Sequence, residues 1–280
     1  METAARTEAA EAEILGRFEQ GAHSEQEHAG NAHPASILIA MLMTRRSFLG
    51  AAASATAWIS GGARGLAISD DPRRPGQHRL EIGDADRDGI FYVPRMTSEA
   101  ALPLWVVLHG AGGTGQSAGY VFSLADEFGV LVLAPDSRDE RTWDGVLRNW
   151  GPDVEFIAAA VDRMTRRFNI DRSRVTLAGF SDGASYALSL GISYGDEFSR
   201  IVAMSPGVMQ PMAARGKPKI FISHGTADAV MPIDDTSRRF VPRLKALGYD
   251  VTYREYEGRH TVSAPVVREA FEWAFRSASR

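Results

Sequence analysis

The sequence predicts an α/β protein, a mainly parallel, doubly wound sheet folded as a single domain, and three observations carry that expectation. From His78 onward, short apolar runs alternate with stretches of helical periodicity, the pattern of a parallel sheet covered on both faces. The runs are almost continuously apolar, as strands buried on both sides must be. The segment that bears the pattern, residues 68–280, suits one α/β domain in length and not two.

Composition narrows the partners. The 280 residues are 44% hydrophobic and 24% charged, with a net charge of −4 and no Lys/Arg cluster, so a nucleic-acid partner is not expected. There is no cysteine, which removes disulfides, thiolate nucleophiles and every cysteine-containing metal site. Neither a metal nor a cofactor is called for.

Residues 1–40 form a Glu/Ala-rich segment with few aromatics; it cannot bury much surface and reads as disordered, or as the product of an over-extended start, since Met41 and Met43 lie just beyond it. Residues 41–67 follow the pattern of a twin-arginine export signal. Arg45-Arg46 precede the small, mildly apolar run Ala51 to Ser60, which is too short to span a bilayer, and small residues follow around Gly65 to Ala67. A periplasmic or secreted location follows, or a cytoplasmic one if the paired arginines merely decorate a helix. No stable membrane anchor is expected after the signal is removed.

Within residues 68–280, Arg79 to Ile82 and Gly89 to Pro94 read as an antiparallel pair turned by the Asp-rich Gly83 to Asp88. Leu104 to Leu108, Val130 to Leu133, Val175 to Ala178, Ile201 to Met204 and Ile220 to Ser223 read as buried strands, and Val251 to Tyr256 as the last strand. A helix is expected over Val154 to Phe168, capped by Asp153, with Phe156, Ile157, Ala160, Val161 and Met164 at helical spacing. Others are expected over Ala184 to Leu190, Thr236 to Leu247 with Asp234 and Asp235 at its cap, and Ala264 to Phe275.

The chemistry begins at Gly179-Phe180-Ser181-Asp182-Gly183, set between an apolar strand and a helix. A G-x-S-x-G spacing arises by chance about 0.2 times in a chain of this composition, so the pattern alone is weak. Its position is what counts. A serine on a sharp strand-to-helix turn is pushed out above the sheet edge, and the flanking glycines are needed because a Cβ there has no room.

A serine nucleophile needs a base, an acid to orient the base, and donors for a developing oxyanion. His260, in Glu257-Gly258-Arg259-His260-Thr261 after the last strand, is the candidate base. Asp228, in His224-Gly225-Thr226-Ala227-Asp228, is the candidate acid, with Asp234 and Asp235 as rivals. His224 ends an earlier strand, too early for the base but placed to shape the acid loop. The backbone N–H of Asp182 and of Ala111, with Gly110 as the substitute, are the candidate oxyanion donors. The glycine-rich Gly110 to Gly115 also suggests a phosphate cradle, but it lacks the P-loop lysine and no acidic ribose partner stands out. His109, Trp143, Trp150 and Met231 are candidate pocket residues; for the two tryptophans, packing of a long loop onto the core fits equally, and Met231 beside Pro232 reads at least as well as packing.

The four ordered motifs, Leu108 to Gly113, Gly179 to Gly183, His224 to Asp228 and Gly258 to Thr261, resemble the phospholipase/carboxylesterase group of α/β-hydrolases, and the polyhydroxybutyrate depolymerase and feruloyl esterase relatives as well. The resemblance covers roughly residues 78–278. It implies a metal-independent serine carboxylesterase working through an acyl-Ser181 intermediate on a small-molecule or polymer ester. Ala184 departs from the glycine that many relatives carry. The stretch from Ile201 to Lys219 shows no lid insertion, which argues against a lipase acting at an oil interface. A peptidase or amide hydrolase with the same triad, and a non-catalytic hydrolase fold used for binding, are the alternatives.

Overall fold

The structure, a computed structural model, describes residues 71–83, 86–95, 100–147 and 150–275. The Glu/Ala-rich segment and the proposed export signal lie outside the described residues.

Eight strands form one sheet: β1 (Gly76–Arg79), β2 (Gly89–Val93), β3 (Leu102–Leu108), β4 (Leu131–Pro135), β5 (Ile170–Phe180), β6 (Arg200–Met204), β7 (Lys219–Gly225) and β8 (Val251–Tyr256). Their order is β1-β2-β4-β3-β5-β6-β7-β8. The pairs β1·β2 and β2·β4 are antiparallel, and all the others are parallel. Among the described residues six α-helices cover it: α1 (Phe122–Phe128), α2 (Asp144–Leu147), α3 (Pro152–Arg167), α4 (Asp182–Ser193), α5 (Ser237–Ala246) and α6 (Ala264–Phe275).

Alternation along β3 shows why both faces need cover. Leu104, Val106 and Leu108 pack with α3 and α4, while Trp105 and Val107 pack with α1 and α6. The α6 side is knit by Trp105 stacked on Phe271, ring centroids 4.2 Å apart. A third cluster joins α4 to α5 through Ala184, Leu188, Ile192, Val241 and Leu244 over β6 and β7. The methyl group of Ala184 is fully buried in it.

Chain direction around the sheet places a crevice. From β3 the chain crosses to β4 on one side, and from β5 to β6 on the other, so the order reverses between β3 and β5. Ligand sites in such sheets lie outside the carboxyl ends of the strands at this reversal. Here those ends carry His109 and Ser181.

Three local expectations need correction. The first strand lies at Gly76–Arg79, not at 79–82, because the Asp88 carboxylate takes the N–H groups of Glu81, Ile82 and Gly83 at 2.6–2.9 Å and holds them in a loop. Asp153 does not cap α3: Gly151 is the N-cap and Pro152 opens the helix, while the Asp153 carboxylate accepts the N–H groups of Arg138 and Asp144. Asp234 and Asp235 do not cap α5 either. Thr236 stands at the cap, but its hydroxyl donates back to the Pro232 carbonyl and does not cap the helix, and the two aspartates pair with Arg238 and Arg239 one turn on.

Helix α4 carries a row of buried serines, Ser185, Ser189 and Ser193, each donating its hydroxyl to the carbonyl four residues back. The same oxygens accept the N–H groups of Gly207 and Val208, of Gln210, and of Met212. The irregular segment after β6 is thereby pinned along the helix that begins at Ser181.

Candidate active site

Ser181 closes the turn from β5 into α4 with φ 57° and ψ −123°, a backbone conformation that a non-glycine residue holds only when its surroundings impose it. The imposition is steric. A Cβ on Gly179 would lie 2.2 Å from the Gly183 backbone, and one on Gly183 would lie 2.2 Å from the Leu108 carbonyl oxygen. The Ser181 N–H donates to the Met204 carbonyl at 3.0 Å, and the Ser181 carbonyl accepts from Ala184 and Ser185.

The structure brings Ser181, His260 and Asp228 into one hydrogen-bonded line. His260 Nδ1 lies 2.7 Å from Asp228 Oδ2, and His260 Nε2 lies 2.8 Å from Ser181 Oγ. An ionised carboxylate only accepts, so Nδ1 carries the proton and Nε2 is left to accept the Ser181 hydroxyl. The Phe180 ring lies against the imidazole, centroids 4.7 Å apart. An imidazole so held can take a proton from Ser181 and return it to a leaving group.

Asp228 is held in turn. Its Oδ1 accepts the N–H groups of Val230 and Met231 at 2.9 and 2.8 Å. Burial by itself pushes the carboxyl up, but the Met231 N–H, the His260 imidazole and the Val230 N–H together hold it below the ordinary carboxylate value. The rivals Asp234 and Asp235 face surface arginines instead.

His224 shapes the acid loop, as its position in the sequence suggests. Its side chain is fully buried; Nε2 lies 2.8 Å from the Met231 carbonyl and 3.3 Å from Asp228 Oδ2, and Nδ1 lies 2.7 Å from Ser237 Oγ. A carbonyl acceptor fixes the proton on Nε2, so Nδ1 accepts the Ser237 hydroxyl. Burial lowers its pKa, and the neutral ring lies against the same Asp228 oxygen, Oδ2, that His260 contacts. The signal was present in the chain: a histidine four residues before the candidate acid.

The loop after β3 approaches the serine closely. A Cβ on Gly110 would lie 3.4 Å from Ser181 Cβ. Gly112 N–H donates to the Arg141 carbonyl and Gly113 N–H to the Gly110 carbonyl, while the Ala111 N–H has no acceptor among the described residues. Asp182 opens α4, where N–H groups lack intrahelical partners, and its carboxylate accepts the Thr142 hydroxyl at 2.5 Å.

Of the four candidate pocket residues, His109 lines a cavity beside the site. It does so with both nitrogens occupied: Nδ1 donates to the Gly110 carbonyl at 2.8 Å and Nε2 accepts the Ser137 N–H at 3.0 Å. Trp143 is 0% exposed, so it cannot wall a pocket for an incoming ligand; its Nε1–H donates to the His109 carbonyl at 2.8 Å and buttresses the loop from below. Trp150 packs on Tyr186, centroids 4.9 Å apart. Met231 faces Gly207, where a Cβ would meet its sulfur at 2.4 Å. Among the described residues no group of three or more His, Asp or Glu side chains is placed to hold a metal ion, and no helix is long and apolar enough to cross a membrane.

This strand order, with a strained serine at the end of β5 and a histidine after β8, is the α/β-hydrolase fold. Within it, the chain belongs to the phospholipase/carboxylesterase family, whose model matches residues 128–273. A bifunctional acetylxylan esterase/xylanase of Neocallimastix patriciarum is 30% identical over 152 residues, covering 52% of this chain and 22% of that protein. The chain spans between 22% and 57% of the length of three curated relatives that it matches. Among solved structures, a fluorophosphonate-binding serine hydrolase of Staphylococcus aureus superposes with TM-score 0.59 at 16% identity, covering 72% of this chain and 99% of the other. A ferulic acid esterase from Anaeromyces mucronatus, in complex with ferulic acid, gives 0.54 at 17%, covering 72% and 89%. At these identities the superpositions establish the fold.

Proposed function

We propose that the protein is a serine carboxylesterase in which Ser181 is the nucleophile, His260 the general base and acid, and Asp228 the residue that orients and charges-balances His260. The hydrogen-bonded line from Asp228 through His260 to a serine in strained backbone carries this reading. Family membership and an esterase among the relatives support it.

Ser181 Oγ attacks the ester carbonyl carbon while its proton passes to His260 Nε2. The oxyanion that forms is held by the N–H groups of Ala111 and Asp182. The bond to the alcohol oxygen then breaks, His260 gives its proton to that oxygen, and acyl-Ser181 remains. Water enters by the same route, losing a proton to His260, and the acid is released as Ser181 Oγ recovers its hydrogen.

The domain assignment and location are part of the same proposal: residues 41–67 direct export through the twin-arginine route and residues 68–280 are the mature hydrolase. N-terminal sequencing of exported material is expected to begin near Ile68; an intact Met1 or Met41 on cytoplasmic protein refutes this. For the chemistry, a fluorophosphonate probe is expected to label the folded protein and to fail on Ser181→Ala. Folded, unlabelled parent protein overturns the assignment. A panel of short esters against matching amides is expected to show turnover of the esters alone.

A further inference from the structure

An arginine outside the catalytic motifs reaches the loop that carries the proposed oxyanion donor Ala111. Strand β2 runs antiparallel to β4, and Gly89 pairs with Pro135 in that register. The residues just before β2 therefore lie beside the carboxyl end of β4, on the sheet edge that also carries His109 and Ser181. Arg87 and Asp88 occupy that place, and both are tied down. The Asp88 carboxylate accepts three N–H groups from residues 81–83, and the Asp88 N–H donates to Asp136 Oδ2 at 3.0 Å.

Arg87 Nε donates to the Ser137 carbonyl, while Nη2 donates to Ser137 Oγ at 2.9 Å and to the Gly113 carbonyl at 3.4 Å. Two routes then run from the guanidinium to the loop of residues 109–115. One is the contact at Gly113, whose own N–H closes the loop on the Gly110 carbonyl at 3.0 Å. The other passes through the fully buried Ser137, whose N–H donates to His109 Nε2, and on through His109 Nδ1 to the Gly110 carbonyl. Asp136 fastens the far end of the loop, its Oδ1 accepting the Gly115 N–H at 2.6 Å. A guanidinium suits this place because its planar fork serves several acceptors at once and keeps its charge, which strengthens each bond.

We propose that Arg87 is a positioning residue for the esterase reaction: acting through Ser137, His109 and Gly113 and not on the substrate, it sets the loop that presents the Ala111 N–H to the oxyanion. The inference rests on the serine-esterase reading and adds a residue 94 positions before the nucleophile to the groups that tune it.

The test compares the parent protein with Arg87→Met, which keeps the stem and removes every donor, and with Arg87→Lys, which returns one. Turnover of p-nitrophenyl acetate is measured beside inhibition by a trifluoromethyl ketone. Ser181 Oγ adds to the ketone carbon, the Ser181 proton passes to His260 and the carbonyl electron pair becomes an oxyanion, so the Ki reports on the oxyanion donors. Deleting such a donor outright costs about 10²–10³-fold in kcat, and displacing one costs less. In Arg87→Met, kcat is expected to fall about 10-fold and Ki to rise about 10-fold while KM changes by less than about 3-fold, with Arg87→Lys between it and the parent in kcat and Ki. A folded Arg87→Met with kcat within about 2-fold of the parent overturns the inference, as does a fall in kcat with Ki unchanged. If Arg87→Met does not fold, Arg87→Lys decides: a lowered kcat with a raised Ki supports the inference, and parent-like values overturn it. Absence of p-nitrophenyl acetate turnover by the folded parent protein overturns the esterase reading and the inference with it.

Discussion

Replacing Trp143 by phenylalanine tests whether the segment after β4 is scaffold for the site. The substitution keeps an aromatic ring against His109 and Tyr186, whose centroids lie 4.7 and 5.3 Å from the indole, and removes the Nε1–H that donates to the His109 carbonyl. A buried carbonyl left unpaired costs about 1–3 kcal/mol. The smaller ring leaves a void worth about 1 kcal/mol more. The expected loss is therefore about 2–4 kcal/mol, read from urea unfolding followed by circular dichroism, out of the 5–15 kcal/mol typical of a domain, so the variant stays folded at room temperature. The freed carbonyl is one residue from Gly110 and two from Ala111. Small displacements of an oxyanion donor act on the transition state and not on substrate binding, so kcat for p-nitrophenyl acetate is expected to fall about 10- to 100-fold while KM changes by less than about 3-fold. A stability loss below about 0.5 kcal/mol, or the full loss with kcat unchanged, refutes the buttress.

Two further outcomes follow from buried polar groups. Burial pushes the Asp153 carboxyl up to about 6 despite the N–H groups of Arg138 and Asp144 that it accepts. Asp153 then holds its proton in the folded state over a range, about pH 4 to 6, in which it is ionised in the unfolded chain, so its own contribution to stability falls as pH rises through that window, by at most about 1.4 kcal/mol per unit, and the parent is expected to lose that much in urea unfolding relative to Asp153→Asn across it. Asp228, whose carboxyl is depressed, contributes only further to the acid side and leaves that window clear. Ser189→Ala orphans the Gln210 N–H and is expected to cost about 1 kcal/mol in urea unfolding, with increased hydrogen exchange confined to the segment after β6; uniform protection there speaks against the serine row as its anchor.

What was legible in the chain was whatever is local or ordered along it. Strands β3, β4, β6 and β7 and the second half of β5 announce themselves as short apolar runs because both faces of each are covered. The positions of Ser181, Asp228 and His260 follow from motif order, since each stands just beyond the C-terminal end of its strand. The misplaced features are those decided by contacts distant in sequence. Asp153 resembles a helix cap until Arg138 and Asp144 present their N–H groups to it, and the first strand shifts because Asp88 captures the backbone of residues 81–83. Trp143 looked equally suited to a pocket wall or to packing. Its bond to a carbonyl 34 residues away decides for packing, and no periodicity in the chain encodes that distance.

The same contacts explain how a strained serine can be kept in place without being paid back locally. Ser181 is fixed at positive φ by close approaches that leave no room for Cβ atoms on Gly179 or Gly183, and those approaches persist only while β3, β5 and α4 stay registered. The registration is secured from two sides, by the serine row that ties α4 to the segment after β6, and by Thr142 and Trp143, which tie the segment after β4 to Asp182 and His109. A site clamped this tightly has little freedom to reshape around different substrates.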